Sequence, residues 1–456
     1  MRTDRVIGKN VGVIGAARSG VSAALLLKRY NANVFVSESR KAEQVLESIQ
    51  LLEANGIEYE TGGNTDKVFR SRDYIVVSPG VPATAPIIRQ IEDNGIPIIS
   101  EIELGFWMCD GQIIAITGSN GKTTTTTVIG EIFKHSGETT FVAGNIGSPF
   151  CDICNQVPKD GWAVLEISSF QLERCFEFRP DIAVVLNLTP DHLDRYEDFA
   201  SYAEMKMRIS ENQDKNDALI VNNDDTYLMR LSAATQAKKY YFSLSDRVSP
   251  GAYVDQERLW LDFNGDAHKL LDVADISLPG PHNLANCAAA AVTAVVAGVD
   301  EDAIRDVLST FEGVEHRLED CGAIGKVKFV NDSKATNVDS VWYALQSVQG
   351  KLVTIMGGRD KGSDFTRLRG LVSEHVAAVV LIGEASDKIE SAFDELVPIH
   401  RAGNMNEAVR LAHNLAMPGN TVLLSPGCAS FDMFRDYEDR GRAFKEAIAG
   451  LRKEIE

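Results

Sequence analysis

Ile113-Ile114-Ala115-Ile116-Thr117-Gly118-Ser119-Asn120-Gly121-Lys122-Thr123 decides how this chain is read. An apolar strand pattern runs into a glycine-rich turn, and a Thr-rich segment with helical character follows. Such a turn between strand and helix aims backbone N–H groups and a lysine at a phosphate. ATP is therefore the first ligand implied, held by Gly118, Ser119, Asn120, Gly121, Lys122, Thr123 and Thr124, with the Thr123 hydroxyl placed for an accompanying Mg2+. The full P-loop pattern wants a glycine five positions before Gly121, where this chain has Ile116, so a shorter loop is expected. A tight turn with no ligand is the bland alternative.

Outward from that loop, short β-rich apolar runs end in Gly, Ser or Asp and lead into helical patterns. They lie at 11–14, 34–36, 74–77, 113–116, 162–165, 182–186, 327–330, 352–355, 379–382 and 421–424. This alternation is the signature of α/β structure with parallel sheets. At 456 residues the chain is too long for one compact core, and three sheets in series fit better than one. The expected division is 1–102, 103–312 and 313–456, with the phosphate loop opening the central domain and the first and last domains Rossmann-like.

The balance of 46 Lys and Arg against 65 Asp and Glu gives a net charge of -19. That argues against nonspecific nucleic-acid binding and against adhesion to anionic membranes. A phosphorylated substrate must then be held by local cations, Mg2+ and helix N-termini. Seven cysteines form no disulfide framework, and Cys151-Asp-Ile-Cys154 lacks the second pair of a zinc site. Met1-Arg-Thr-Asp-Arg5 has no apolar signal region, and no apolar run approaches the ~20 residues that span a bilayer. A cytoplasmic protein without membrane insertion is expected.

The first domain invites a dinucleotide reading: a strand at 11–14, then Gly15-Ala16-Ala17-Arg18-Ser19-Gly20, a helix, and Glu38 after the second strand. Ala17 stands where the fingerprint needs bare backbone beside a pyrophosphate, which disfavours a nicotinamide site. Another nucleotide, or close helix–strand packing alone, remains open, and Ser78-Pro79-Gly80 offers a second phosphate-sized loop.

In the central domain Glu166 ends a strand, where a carboxylate meets a metal at the C-terminal edge of a parallel sheet. Asn187-Leu-Thr-Pro-Asp191-His192-Leu-Asp194-Arg195 gathers two carboxylates, an imidazole and a guanidinium after another strand. A loop so dense in ionisable groups is a site candidate; a helix start capped by Thr189 or Asp191 is the alternative.

Taken together and in order, these motifs resemble those of the Mur ligases over essentially the whole chain. The resemblance rests on 117–123, Gly144-Asn-Ile-Gly147, Glu166-Ile-Ser-Ser-Phe-Gln-Leu-Glu173 and Asn187 to Arg195. It continues through His282-Asn-Leu-Ala-Asn286, His316-Arg317, Asn331-Asp-Ser-Lys-Ala-Thr-Asn337, Gly357-Gly-Arg-Asp-Lys-Gly362 and Ser425-Pro-Gly-Cys-Ala-Ser430. It implies a three-domain α/β ligase using ATP and Mg2+, working as a monomer. The implied reaction activates the carboxylate of UDP-N-acetylmuramoyl-L-alanine as an acyl phosphate for attack by the amine of D-glutamate.

By that resemblance Lys122 is the phosphate-loop lysine, Thr123 and Glu166 contact one Mg2+, and His192 contacts a second. Lys206 resembles the family's carbamylated lysine near that second metal; by residue type alone it would be an exposed helix lysine. Asn283 and Asn286, three apart on one helix face, would read the adenine edge, with Arg317 and Asp332 as further nucleotide contacts. Lys334, Thr336, Lys361, Ser430 and, less securely matched, Tyr437 in place of the more familiar Phe would position substrate, with Lys361 and Ser430 on the carboxylates of D-glutamate. Ser19, Ser39, Arg40, Ser78 and Gly80 match the loops holding the uridine end, and Asn145, Ser168 and Gln171 the muramoyl-alanine portion. Sites spread over three domains imply domain closure during catalysis.

Rival readings share parts of this pattern. A sister ligase or a folylpolyglutamate-synthase-like enzyme would keep the ATP centre and change the acceptor or amino acid. The missing Asp-Asn-Pro-Arg motif argues against the diamino-acid-adding sister. A nicotinamide dehydrogenase is disfavoured by Ala17, and a regulatory nucleotide-binding protein would release no phosphate with any amino acid.

Overall fold

A computed structural model describes residues 1–191, 195–263 and 265–455. His192 lies outside the described residues. The protein has three α/β domains, each built on its own sheet. The chain forms two compact units. The first comprises Met1–Pro190, Arg195–Ile276 and Ala285–Thr310; the second comprises Ser277–Leu284 and Phe311–Glu456, together with Asp191.

The first unit carries two sheets. In the N-terminal one, β1 (Asn10–Ile14), β2 (Asn33–Glu38), β3 (Glu58–Thr61), β4 (Tyr74–Val77) and β5 (Ile98–Ser100) run parallel in the order β3-β2-β1-β4-β5. Strand order reverses between β1 and β4, which sets their following loops, at Gly15 and Ser78, beside the crevice where such sheets bind ligands. Gly15 has φ +90, and a β-carbon on Gly20 would collide with Gly15 O and Ser78 Oγ. These glycines therefore keep the first turn tight.

The second sheet holds β6 (Gln112–Thr117), β7 (Thr140–Gly144), β8 (Trp162–Glu166), β9 (Ile182–Val185), β10 (Ala218–Asn222), β11 (Lys238–Ser243), β12 (Gly251–Asp255), β13 (Arg258–Phe263) and β14 (Asp266–Asp272). Their order is β14-β13-β12-β11-β10-β9-β6-β8-β7, parallel from β7 through β12 and closed by the antiparallel meander β12-β13-β14. Central strands such as β8 are buried along their length, as the apolar run at 162–165 requires. One hydrophobic core joins the two sheets, with Val13 and Val76 from one and Ile113 and Leu165 from the other.

In the second unit, β15 (Glu319–Ile324), β16 (Val327–Asn331), β17 (Leu352–Gly357), β18 (Val376–Ile382), β19 (Ile399–Arg401) and β20 (Thr421–Leu424) are ordered β15-β16-β20-β17-β18-β19, with only β15 antiparallel. Helices cover both faces and make two cores, one around Val341, Phe365 and Phe393, the other around Phe329, Val409 and Phe444. All seven cysteines are free. Among the described residues no helix is long and apolar enough to cross a membrane.

Candidate active site

The phosphate loop leaves β6, between β8 and β9, and enters the helix Lys122–His135. The segment after β9 clamps it. Ser119 N–H donates to Asn187 O at 3.0 Å, Asn120 N–H to Asn187 Oδ1 at 2.8 Å, and Asn187 Nδ2 returns a bond to Asn120 O at 3.0 Å. Ser119 Oγ donates to Thr189 O and accepts from Thr189 N–H, both at 2.9 Å, and lies 3.2 Å from the Tyr202 hydroxyl. Gly121 caps the helix in the left-handed region at φ +85, and a β-carbon there would strike Asn286 Oδ1. The helix Pro281–Val296 therefore places Asn286 directly against the loop, and both Asn283 and Asn286 are buried.

Lys122 Nζ donates to Gly118 O at 2.8 Å and to Ser119 O at 2.9 Å. Lys206 Nζ donates to the same Gly118 O at 2.8 Å and sits 4.7 Å from the centre of the Tyr202 ring. Lys206 is only 2% exposed, so it is not the solvent-facing helix lysine that its residue type suggests. Thr189 N–H is tied to Ser119 Oγ, and the helix Phe199–Met207 is capped by Asp198, which accepts from Ser201 N–H.

Glu166 ends β8 and is buried. Asn145 Nδ2 donates to Glu166 Oε1 and Asn145 N–H to Glu166 O, both at 2.8 Å. Because β6 and β8 are neighbours, Glu166 and Thr123 stand at the same sheet edge as the loop. A carboxylate and a hydroxyl there are hard oxygen donors, which fit Mg2+. Ser168 and Gln171 form a capping box: Ser168 N–H reaches Gln171 Oε1 at 2.9 Å and Gln171 N–H reaches Ser168 Oγ at 3.4 Å.

In the N-terminal sheet, Glu38 accepts from Ala16 N–H at 2.7 Å, Arg40 N–H at 2.8 Å and the Arg40 guanidinium at 2.9 Å, with Ser39 Oγ at 3.4 Å. Burial pushes its pKa up, but the Arg40 guanidinium and the N–H bonds outweigh that and hold it down at about 2. The acid that a dinucleotide site would turn to a ribose is thus spent on its own loop. Ser78 Oγ donates to Gly15 O at 3.1 Å, Ser19 is half-buried, and Gly80 is exposed with open space where a side chain would stand.

In the second unit, Asp332 follows β16 and is buried. Burial pushes its pKa up to about 7, against the nearby Arg317 charge and a 3.0 Å bond from Ser425 Oγ. Lys334 N–H donates to His316 O at 3.0 Å, and Lys334 Nζ lies 3.8 Å from the Tyr437 ring centre. Thr336 and Lys361 are half-buried and Ser430 is buried. The loops bearing Lys361 and Ser430 pair through Arg359 and Ala429, whose N–H and C=O groups exchange bonds at 2.8 and 3.0 Å. The His282 ring lies 5.2 Å from that of Tyr343, tilted by 43°, and burial, reinforced by the Arg317 charge, lowers its pKa to about 4.

Three structural participants escaped the sequence reading. Asn187 and Tyr202 hold the phosphate loop, and Asn187 at least lay in a motif already singled out. Arg440 had no signal at all. It is 1% exposed and donates to Ser333 Oγ at 3.0 Å, Ser333 O at 2.8 Å and Cys428 O at 3.1 Å, tying the loop of Asp332 and Lys334 to that of Ser425 and Ser430.

Three family profiles match the chain: "Mur ligase MurD-like, N-terminal domain" over 9–100, "Mur ligase middle domain" over 116–294 and "Mur ligase, glutamate ligase domain" over 316–428. A UDP-N-acetylmuramoylalanine--D-glutamate ligase of Chloroherpeton thalassium is 44% identical over 99% of this chain and 100% of its own length. The protein of that name from Acidobacterium capsulatum is 45% identical over 98% and 97%. Among solved structures, the UDP-N-acetylmuramate-alanine ligase MurC of Thermotoga maritima superposes with a TM-score of 0.62 at 17% identity, over 97% of this chain and 100% of its own. The MurF ligase of the same organism, solved with ADP, gives 0.59 at 16% identity, over 100% and 97%. At such identities the superpositions speak for the fold.

Proposed function

This chain belongs to the Mur ligases, and from that membership we propose the reaction and the residue roles that follow. It is an ATP-dependent ligase that adds D-glutamate to UDP-N-acetylmuramoyl-L-alanine in peptidoglycan precursor synthesis, releasing ADP and phosphate. The observation that carries this is end-to-end similarity, at 44% and 45% identity, to proteins bearing that ligase's name.

A carboxylate is a poor electrophile, and an acyl phosphate splits the amide-forming step into two easier ones. The loop 118–124, with Lys122 and the N-terminus of its helix, holds the ATP phosphates, which sets the γ-phosphoryl group against the acceptor carboxylate. Thr123 and Glu166 are the oxygen donors for Mg2+, which supplies neutralisation of phosphate charge when bound. Asn283, Asn286, Arg317 and Asp332 hold the nucleotide. Ser19, Ser39, Arg40, Ser78 and Gly80 take the uridine end of the acceptor, and Asn145, Ser168 and Gln171 its muramoyl-alanine end. Lys334, Thr336, Lys361, Ser430 and Tyr437 orient D-glutamate, so that its amine meets the acyl carbon while cationic side chains face the developing oxyanion. His192 and a carbamylated Lys206 complete the proposed second metal position. The enzyme works as a cytoplasmic monomer.

The test is Mg2+-dependent phosphate release from ATP with UDP-N-acetylmuramoyl-L-alanine, comparing D-glutamate with L-glutamate, D-aspartate, L-lysine and no amino acid. Release only with D-glutamate, matched by the amide product, is the expected outcome. Release with another amino acid would move the assignment to a sister ligase.

A further inference from the structure

Two of the motifs end in residues that the reaction leaves without a role, Glu173 and Arg195. The structure brings them together. Arg195 forms a two-pronged pair with Glu173, Nη2 to Oε2 at 2.8 Å and Nε to Oε1 at 3.1 Å. Its remaining arm, Nη1, donates to Pro79 O at 2.9 Å. The guanidinium lies 3.9 Å from the Phe170 ring centre, and Tyr196 adds a hydroxyl bond to Glu173 Oε1 at 3.0 Å while stacking on Phe170. The Arg195 and Glu173 side chains are 17% and 13% exposed, so the pair is well shielded from solvent screening.

The groups joined here come from separate sheets. Pro79 lies in the Ser78-Pro79-Gly80 loop after β4, while Phe170 and Glu173 lie in and just after the short helix Ser169–Leu172 that follows β8. A small open pocket lies there, lined in part by Ser78, Pro79, Gln171, Glu173 and Arg195. One wall thus carries loop residues assigned to the uridine end of the acceptor, and the other carries Gln171, assigned to its muramoyl end.

We propose that the Arg195–Glu173 pair is a positioning device for the acceptor: it fixes the Pro79 loop to the Phe170 helix and so sets the spacing between the two subsites that grip opposite ends of one long ligand. The inference rests on the acceptor assignment made above. A planar guanidinium suits this task, because its fork binds the carboxylate in two places and leaves one donor for a backbone carbonyl, which an ammonium does not match. A ligand held at two points gains from correct spacing as two linked binding events do. Neither residue is required to touch it.

Arg195→Lys and Glu173→Gln test this, with three Michaelis constants measured for each variant and UDP and the intact acceptor titrated by calorimetry. Each variant is expected to raise KM for the acceptor about tenfold, with KM for ATP and D-glutamate within twofold of wild type. UDP alone, which engages one end, binds the variants as it binds wild type, whereas the intact acceptor binds about tenfold more weakly. The double variant is no worse than either single one, because the two side chains act as a unit. The proposal is overturned if UDP and the intact acceptor weaken equally, if all three KM values rise together, or if only the melting temperature falls. Wild-type enzyme that neither binds the acceptor nor releases phosphate with it would instead overturn the functional assignment. Should either variant not fold, Phe170→Leu, which removes only the ring beneath the guanidinium, is judged by the same titrations.

Discussion

The amines of Lys122 and Lys206 converge on a single acceptor, Gly118 O, each at 2.8 Å. Two ammonium groups on one carbonyl repel each other and concentrate positive charge beside the loop that Asn187 clamps through Ser119 and Asn120. The proposed phosphate role draws on that charge. Lys122→Ala is therefore expected to lower kcat by about a hundredfold to a thousandfold, the usual cost of losing one aimed donor to developing charge. Unchanged circular dichroism with that loss supports the role; activity within fivefold of wild type removes Lys122 from the centre.

The partner lysine should behave differently. Carbamylation of Lys206 converts its positive charge into a negative one, which would turn the repulsion from Lys122 into attraction and add a carboxylate-like oxygen pair. Enzyme equilibrated with 13C-bicarbonate is expected to give a carbamate carbon resonance that Lys206→Arg lacks. Wild-type enzyme that shows no such resonance while fully active would rule the modification out.

Gly121 offers a test confined to the loop. At φ +85 any L side chain is strained, and an added β-carbon also meets Asn286 Oδ1. Gly121→Ala is expected to cost about 1–3 kcal/mol at this residue, as residues forced into sparse backbone regions do. Its signature is a rise in KM for ATP larger than any change in KM for the acceptor. Equal affinity for ATP in the variant would show that Asn286 does not depend on this contact.

The parts of the fold legible in the sequence were those where burial is continuous. Strands such as β4, Tyr-Ile-Val-Val with every residue buried, announce themselves as apolar runs. Two of the edge strands do not: β3 reads Glu-Tyr-Glu-Thr and β19 Ile-His-Arg, because a strand paired on one side needs few apolar residues. The meander β12-β13-β14 was missed because its signal is alternation, seen in Arg-Leu-Trp-Leu-Asp-Phe of β13, rather than a run. At the site, the phosphate loop and strand-end Glu166 follow from local pattern. Buried Lys206 and Arg440 do not, since only tertiary packing distinguishes them from exposed helix cations. The Arg195–Glu173 pair joins residues of two motifs that were visible separately, but nothing local specifies that they meet.

The linking helix Glu101–Met108 supplies a test of stability independent of catalysis. Ser100 caps it through Glu103 N–H, and Glu101 lies within it at 1% exposure. Glu101 Oε1 accepts Cys151 N–H at 2.6 Å, whereas Oε2 is buried with no hydrogen-bond partner among the described residues. Burial pushes the Glu101 pKa up to about 7, only partly offset by the Cys151 bond. A carboxyl whose folded pKa exceeds its unfolded one binds protons more tightly when folded, so its contribution is fully present below the ordinary carboxylate range and is lost as pH rises toward 7. At about 1.4 kcal/mol per pKa unit the loss is on the order of 3 kcal/mol by pH 8. Glu101→Gln cannot ionise and keeps the acceptor for Cys151 N–H. Its urea midpoint is expected to match or fall slightly below wild type at pH 5 and to exceed it at pH 8. If the difference between variant and wild type is the same at both pH values, Glu101 does not titrate in this range and its buried oxygen is satisfied in some other way.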